Sequence, residues 1–313
     1  MKTLGIHIII LMLMSISKSL YSQKLDEMNL FKSDEGKKAI FDLYDKKLES
    51  LDIDYRYDTV ETSYGKTNLI ISGEENKAAM ILVHGSNGCA PIALETYANL
   101  NKHFRVYAVD VMAQPNKSAE TRLSMKDDSY GKWMNELITA LDLDEVRMAG
   151  FSFGGLVILK TLEHDESRIK EVYLSSPAYI VNGNPLKALF KVFIPMKKYM
   201  KTKDQKYVEK FLANMFTDRD PFAIDYLSVV MQEFEMDFTP VPVINKKKAM
   251  QIKTPINIYA AGQDVIFPGS KMLKRAKKIF PSLRQTSLIS NSKHVQNAQQ
   301  NQKIEEMILS TEQ

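Results

Sequence analysis

The sequence predicts an α/β fold: a mostly parallel sheet with helices on both faces, interrupted by an all-helical insertion. Three observations carry that expectation. From about residue 78 onward, short strand-like runs alternate with segments of helical periodicity. Several of those runs are continuously apolar, as strands covered on both faces must be. Residues 177–254 then break the alternation, with helical patterns and no strand-like run. At 313 residues, 44% hydrophobic and 26% charged, the chain has the make-up of a globular protein. Its length suits one large domain with an insertion, or two domains.

Each element follows from local pattern. Residues 24–51 are charged and periodic, a helical or loose lead-in. Residues 56–61 and 67–72 form an antiparallel pair about a turn at Gly65. Residues 78–83 are an apolar run ending in His84-Gly85, the pattern of a buried parallel strand. Helix 92–102, strand 104–109 and helix 127–141 follow. Residues 146–149 are a strand leading into Gly150-Phe151-Ser152-Phe153-Gly154-Gly155, and 155–163 the next helix. Residues 171–174 and 255–260 are further strands, 283–289 the last strand and 295–309 the last helix. The insertion contributes helices near 186–200, 205–216, 223–234 and 245–250. Residues 23–177 and 251–313 are thus the core, and 178–250 the helical insertion.

The first residues read as a secretory signal. Lys2 supplies a positive start, residues 4–16 an almost unbroken apolar run, and residues 17–22 a polar exit. The run is shorter than the ~20 residues of a membrane span. The expectation is a signal over residues 1–22, cleaved near Ser22 and Gln23, and export to a bacterial periplasm or the medium. Retention as an uncleaved anchor is the alternative, since Leu20 is a poor match three residues before the cut. The single cysteine, Cys89, excludes an internal disulfide and a multi-cysteine zinc site.

Charge narrows the partners. The formal net charge is +4, and about +2 without Lys2 and Lys18, so no nucleic-acid partner is implied. Lys187, Lys191, Lys197, Lys198, Lys201, Lys203, Lys206 and Lys210 crowd the first half of the insertion. Such a run ordinarily marks a solvated helix face; an anionic substrate or a peripheral membrane contact is the other reading. Oligomeric state is not encoded in any of these patterns.

The chemistry centres on Gly150-Phe151-Ser152-Phe153-Gly154, a G-x-S-x-G pattern directly after a strand. There the chain turns sharply into a helix and lifts the serine hydroxyl out of the sheet, in a strained conformation at the positive helix end. A serine hydroxyl needs a base, and the base an orienting acid. The chain has five histidines. His7 lies in the signal, His103 and His164 read as surface positions, and His84 ends a strand. That leaves His294, in a polar loop between the last strand and the last helix, as the base. The acid should follow a strand upstream of it. Asp264 does so, after residues 256–260 and a small-residue turn.

These residues resemble the α/β-hydrolase superfamily: His-Gly after one strand, G-x-S-x-G-G after another, and the order Ser152, Asp264, His294. The similarity runs from about Thr59 to the C-terminus. Residues 110–118 are similar to the D-x-x-G-x-x-x-x-S loop of esterase-like members, with Ala113 where glycine is usual. The resemblance implies that Asp110 and Ser118 brace the rim of the site, that His84 braces the neighbouring loop, and that the insertion is a lid. It also implies an oxyanion hole from the backbone N–H groups of Ser86 and Phe153. The segment His84-Gly85-Ser86-Asn87-Gly88 departs from the HGGG and HGGP patterns of two large branches. No cofactor or metal is implied, and the few scattered histidines suit no ligand set.

The expected activity is hydrolysis of a small-molecule carboxylic ester through an acyl-enzyme. Cleavage of a thioester, amide or carbon–carbon bond would use the same three residues. A non-catalytic binding protein on the same scaffold is the alternative from another class. Substrate and acyl-chain preference are not legible, because the insertion offers only generic apolar faces.

Overall fold

The computed structural model describes residues 29–311. The expected signal at residues 1–22 lies outside them. Among the described residues, no helix is long and apolar enough to cross a membrane.

The chain opens with α1 (Asp34–Glu49), whose first turn is capped by the Ser33 side chain accepting from the Gly36 amide. Strands β1 (Tyr55–Thr62) and β2 (Gly65–Ser72) form the antiparallel hairpin. There follow β3 (Ala79–Val83), α2 (Ala90–Thr96), β4 (Arg105–Val109), α3 (Ser129–Ala140), β5 (Val146–Phe151), α4 (Phe153–His164) and β6 (Ile169–Ser175). After the insertion come β7 (Ile256–Ala261), α10 (Gly269–Ile279), β8 (Leu283–Ile289) and α11 (Ala298–Ser310). The eight strands form one sheet in the order β1-β2-β4-β3-β5-β6-β7-β8, parallel from β4 to β8.

Alternation along the strands divides the core in two. Ile70, Met80, Leu82, Val106, Ala108, Ala149, Tyr173 and Tyr259 face α1, α2, α11 and the insertion. Leu69, Ile71, Ile81, Val83, Val109, Met148, Val172, Leu174 and Ile258 face α3, α4 and α10. Both faces are covered, so the central strands are buried at nearly every position.

Between β6 and β7 the chain forms α5 (Pro185–Ala188), a π turn (Leu189–Phe193), α6 (Ile194–Thr202), α7 (Gln205–Met215), α8 (Pro221–Glu233) and α9 (Lys246–Ala249). Asn184, Asp204, Asp220 and Asn245 each cap a helix start through the side chain.

Three elements differ from the expected pattern. Helix 92–102 breaks after Thr96 and resumes as a single 3-10 turn at Leu100–Lys102. The last helix starts at Ala298, because Asn297 and Gln300 form a capping box and the Val295 backbone is bonded elsewhere. Helix α10 has no counterpart in the sequence reading. Its lysine-rich surface leaves Met272, Ala276 and Ile279 as the buried stripe, one residue per turn.

Candidate active site

The strand-to-helix turn after β5 determines the site. Ser152 takes φ 52° and ψ −112°, a region that L residues rarely occupy. Three bonds hold it there: its amide donates to the Ser175 carbonyl at 3.0 Å, and its own carbonyl accepts from Gly155 and Ala178, both at 2.9 Å. The turn closes only with small neighbours. A Cβ on Gly154 would stand 2.2 Å from the Val83 carbonyl oxygen, and one on Gly85 would meet the Phe151 ring at 2.9 Å. The loop after β3 is thereby pressed against the serine turn.

Three side chains from separate loops meet at this turn. The Ser152 hydroxyl donates to His294 Nε2 at 2.9 Å, and His294 Nδ1 donates to Asp264 Oδ2 at 2.6 Å. The other carboxylate oxygen, Oδ1, accepts the amides of Ile266 at 2.7 Å and Phe267 at 2.9 Å. Burial alone would raise the Asp264 carboxyl. The His294 partner and the two amides outweigh it, and the group stays below the ordinary carboxylate range. The imidazole packs against the rings of Phe151, centroids 5.1 Å apart and tilted, and Phe267, 5.6 Å apart and edge-on. Ser152 is 8% exposed and His294 4%, so the site is nearly closed.

The two expected amide donors flank the serine. Phe153 is the first residue of α4, with no intrahelical acceptor for its N–H, and Ser86 follows Gly85 in the adjoining loop. Among the described residues neither amide has a hydrogen-bond acceptor.

His84 is a brace. It is buried, Nδ1 donates to the Gly85 carbonyl at 2.7 Å, and Nε2 accepts from the Val111 amide at 3.0 Å and Asn116 Nδ2 at 3.2 Å. Burial pulls its pKa down to about 4, so it stays neutral. Asp110 is equally enclosed. It accepts the Ala90 amide at 2.7 Å, Asn68 Nδ2 at 2.8 Å and the Lys117 amide at 3.2 Å. Burial raises its carboxyl to about 6 against those bonds. Ser118 Oγ donates to the Asp110 carbonyl at 2.7 Å, closing the 110–118 loop. In that loop Ala113 stands at φ 53°, the left-handed conformation that glycine adopts freely. His103 and His164 are exposed.

Sequence reasoning missed the residues that hold the histidine loop. Gln296 Nε2 donates to Ser176 Oγ at 2.7 Å, and its Oε1 accepts from Ser175 Oγ at 3.2 Å. This ties the loop to the end of β6, where the Ser152 amide is also bonded. On the other side, Phe216 and Val295 form a parallel bridge, and Thr217 bonds to both residues flanking His294. Only the polar character of residues 291–297 hinted at this, since each partner lies more than 75 residues away.

A serine turn on a mostly parallel sheet, with aspartate and histidine loops at its strand ends, is the arrangement of a hydrolase fold, and the comparisons point to the same fold. The family model described as alpha/beta hydrolase fold matches residues 78–223. The chain is 23% identical over 265 residues to an uncharacterized carboxylesterase, nap, of Bacillus subtilis, covering 80% of this chain and 84% of that one. It is 22% identical over 278 residues to carboxylesterase YbfK of the same organism, covering 86% and 92%. The crystal structure of naproxen esterase from Bacillus subtilis superposes with a TM-score of 0.78 at 22% identity, over 90% of this chain and 99% of that one. The chain has the α/β-hydrolase fold and is a carboxylesterase-like serine hydrolase.

Proposed function

We propose that this chain is an exported carboxylesterase, cleaving a small carboxylic ester through an acyl-enzyme on Ser152. The observation that carries the mechanism is the unbroken series from Ser152 Oγ through His294 to Asp264, at 2.9 and 2.6 Å. His294 Nε2 takes the hydroxyl proton as Ser152 Oγ attacks the ester carbonyl. The resulting oxyanion lies toward the amides of Ser86 and Phe153, each worth on the order of 3 kcal/mol in such sites. Collapse expels the alcohol, which leaves with the proton from Nε2. Water then attacks the acyl group, His294 takes its proton, and the acid departs as Ser152 regains its hydrogen. Asp264 fixes the productive tautomer and stabilises the transient imidazolium.

The insertion is read as a lid. Ser152 is nearly buried and Thr217 of the insertion bonds to the His294 loop; on this reading an ester reaches the hydroxyl when the insertion helices shift, and their return excludes water. The same reading gives residues 1–22 the role of export signal and the lysine-rich start of the insertion a peripheral contact with a membrane. The test is steady-state hydrolysis of soluble aryl esters by the purified protein and by Ser152→Ala. The wild type should turn over, and the variant should lose about 10⁴ to 10⁶ in kcat while keeping its melting temperature. Hydrolysis at the wild-type rate by Ser152→Ala would overturn the mechanism.

A further inference from the structure

The segment from α5 through α6 presents two faces of opposite character. Val192, Pro195, Met196 and Tyr199 are buried toward the body of the protein. The outward side carries large apolar groups that none of the described residues covers: Leu186 and Phe190 are each 64% exposed, and Leu189 42%. Folding leaves such side chains in water singly, but a cluster of three within five residues is a contact surface.

Charge specifies what that surface meets. Lys187, Lys191, Lys197, Lys198, Lys201 and Lys203 are all exposed, and no acidic residue interrupts residues 185–203. Among the described residues none of the six is ion-paired, although Lys198 lies over the Tyr207 ring. Residues 178–250 hold twelve basic against eight acidic residues, an excess equal to the formal net charge of the whole chain, +4. Exposed leucine and phenylalanine beside unpaired lysines on one short helical segment match a lipid–water interface with anionic headgroups.

The course of the chain agrees with this. The first described residues are built into the insertion: Phe31 bridges Phe234, the Glu235 amide donates to the Leu30 carbonyl at 2.8 Å, and Lys32 pairs with Glu235 at 3.8 Å. Four residues beyond Phe234, Phe238 is 42% exposed and packs on Phe193 of the basic segment, ring centroids 6.3 Å apart. Residues 30–32 thus join the fold at the stretch of the insertion that leads to Phe238 and the basic segment.

We infer that the face bearing Leu186, Leu189, Phe190 and the flanking lysines docks on an anionic phospholipid surface, bringing the insertion to the membrane. This rests on the ester-hydrolase reading only for the use the contact would have; the docking is tested apart from it. The full chain is sedimented with vesicles of phosphatidylcholine alone and of phosphatidylcholine doped with phosphatidylglycerol, at low and high salt. Hydrolysis of a soluble short-chain ester is assayed on the same samples. Wild type should bind the doped vesicles and weaken with salt. A Lys191→Gln, Lys197→Gln, Lys198→Gln variant should bind on the order of 100-fold less, since each lysine near an anionic leaflet contributes about fivefold. Leu186→Asp with Phe190→Asp should lose binding as well, with soluble-ester turnover unchanged in both variants. Equal binding of wild type and variants to either vesicle overturns the proposal and assigns any attachment to residues outside this face. A dimer in solution abolished by Leu186→Asp and Phe190→Asp, without vesicle binding, overturns it too. Loss of ester turnover in the wild type would instead strike the ester reading.

Discussion

Thr217 and Val295 are joined twice across 78 residues of sequence: the Thr217 amide and hydroxyl both donate to the Val295 carbonyl, at 3.0 and 2.8 Å. The Thr217 hydroxyl oxygen also accepts the Lys293 amide at 3.1 Å, and the Val295 amide donates to the Met215 carbonyl at 2.9 Å. His294 lies between the two residues so held. The insertion thus fixes the loop that carries the imidazole, and Thr217 acts as a positioning residue. Replacing Thr217 by valine keeps the shape and removes the hydroxyl. It should lower kcat by about 10- to 100-fold with little change in KM, the size of a small misplacement of a reacting group. Thr217→Ser should recover most of the loss. Steady-state kinetics of the two variants, read beside their melting temperatures, separates this role from a general loss of stability.

The two buried aspartates should respond differently to the same change. Asp264→Asn should cost up to about 10⁴ in kcat, because an amide favours the wrong imidazole tautomer. Asp110→Asn turns an NH₂ toward groups that already donate to the carboxylate, Asn68 and the Lys117 and Ala90 amides. Its main effect should be on stability, about 2 kcal/mol, with a smaller fall in turnover. A larger fall in kcat from Asp110→Asn than from Asp264→Asn would mean that the acid is misassigned.

Acid should act on the fold through His84. Its folded pKa of about 4 lies below the ordinary 6.5, so between those values the unfolded chain binds the extra proton. Stability from His84 is then complete above pH 6.5 and is lost as pH falls toward 4, by on the order of 3 kcal/mol. Asp110 has the opposite sign: with its pKa raised from 3.8 to about 6, acidification through that window favours the folded state. The two offset each other in the wild type. NMR of the imidazole should show His84 neutral at pH 5.5. Denaturant titrations of His84→Gln should show a lower stability at pH 7 that falls less on acidification than that of the wild type.

Ala113 at φ 53° carries backbone strain that glycine relieves. Ala113→Gly should stabilise the protein by about 1 kcal/mol, because an alanine held at positive φ costs more than the entropy it saves in the unfolded chain. A thermal melt at fixed pH checks the sign.

The sheet was legible because each central strand is an apolar run bounded by turns, a signal that depends only on neighbouring residues. Ser152 was legible for the same reason, since its two glycines are dictated by the approach of Val83 and the serine helix. His294 and Asp264 came from chain order and elimination among five histidines. Contacts between distant segments were not legible. No local pattern marks Thr217 as the partner of Val295, or Gln296 as the partner of Ser175 and Ser176. Helix α10 was missed because lysines and arginine outnumber its buried residues, so its stripe of Met272, Ala276 and Ile279 is thin. Nor does periodicity show which apolar residues of the insertion face outward, as Phe190 does at 64% exposure.

Nucleophilic catalysis by Ser152 is tested most directly with a fluorophosphonate probe, which phosphonylates a serine with loss of fluoride only where a base and an oxyanion site activate it. Intact mass and peptide mapping of the native protein should show one adduct, on the peptide containing Ser152. The adduct should be absent from Ser152→Ala and form far more slowly in His294→Ala. A native protein that stays unlabelled, or an adduct on another residue, would contradict the assignment.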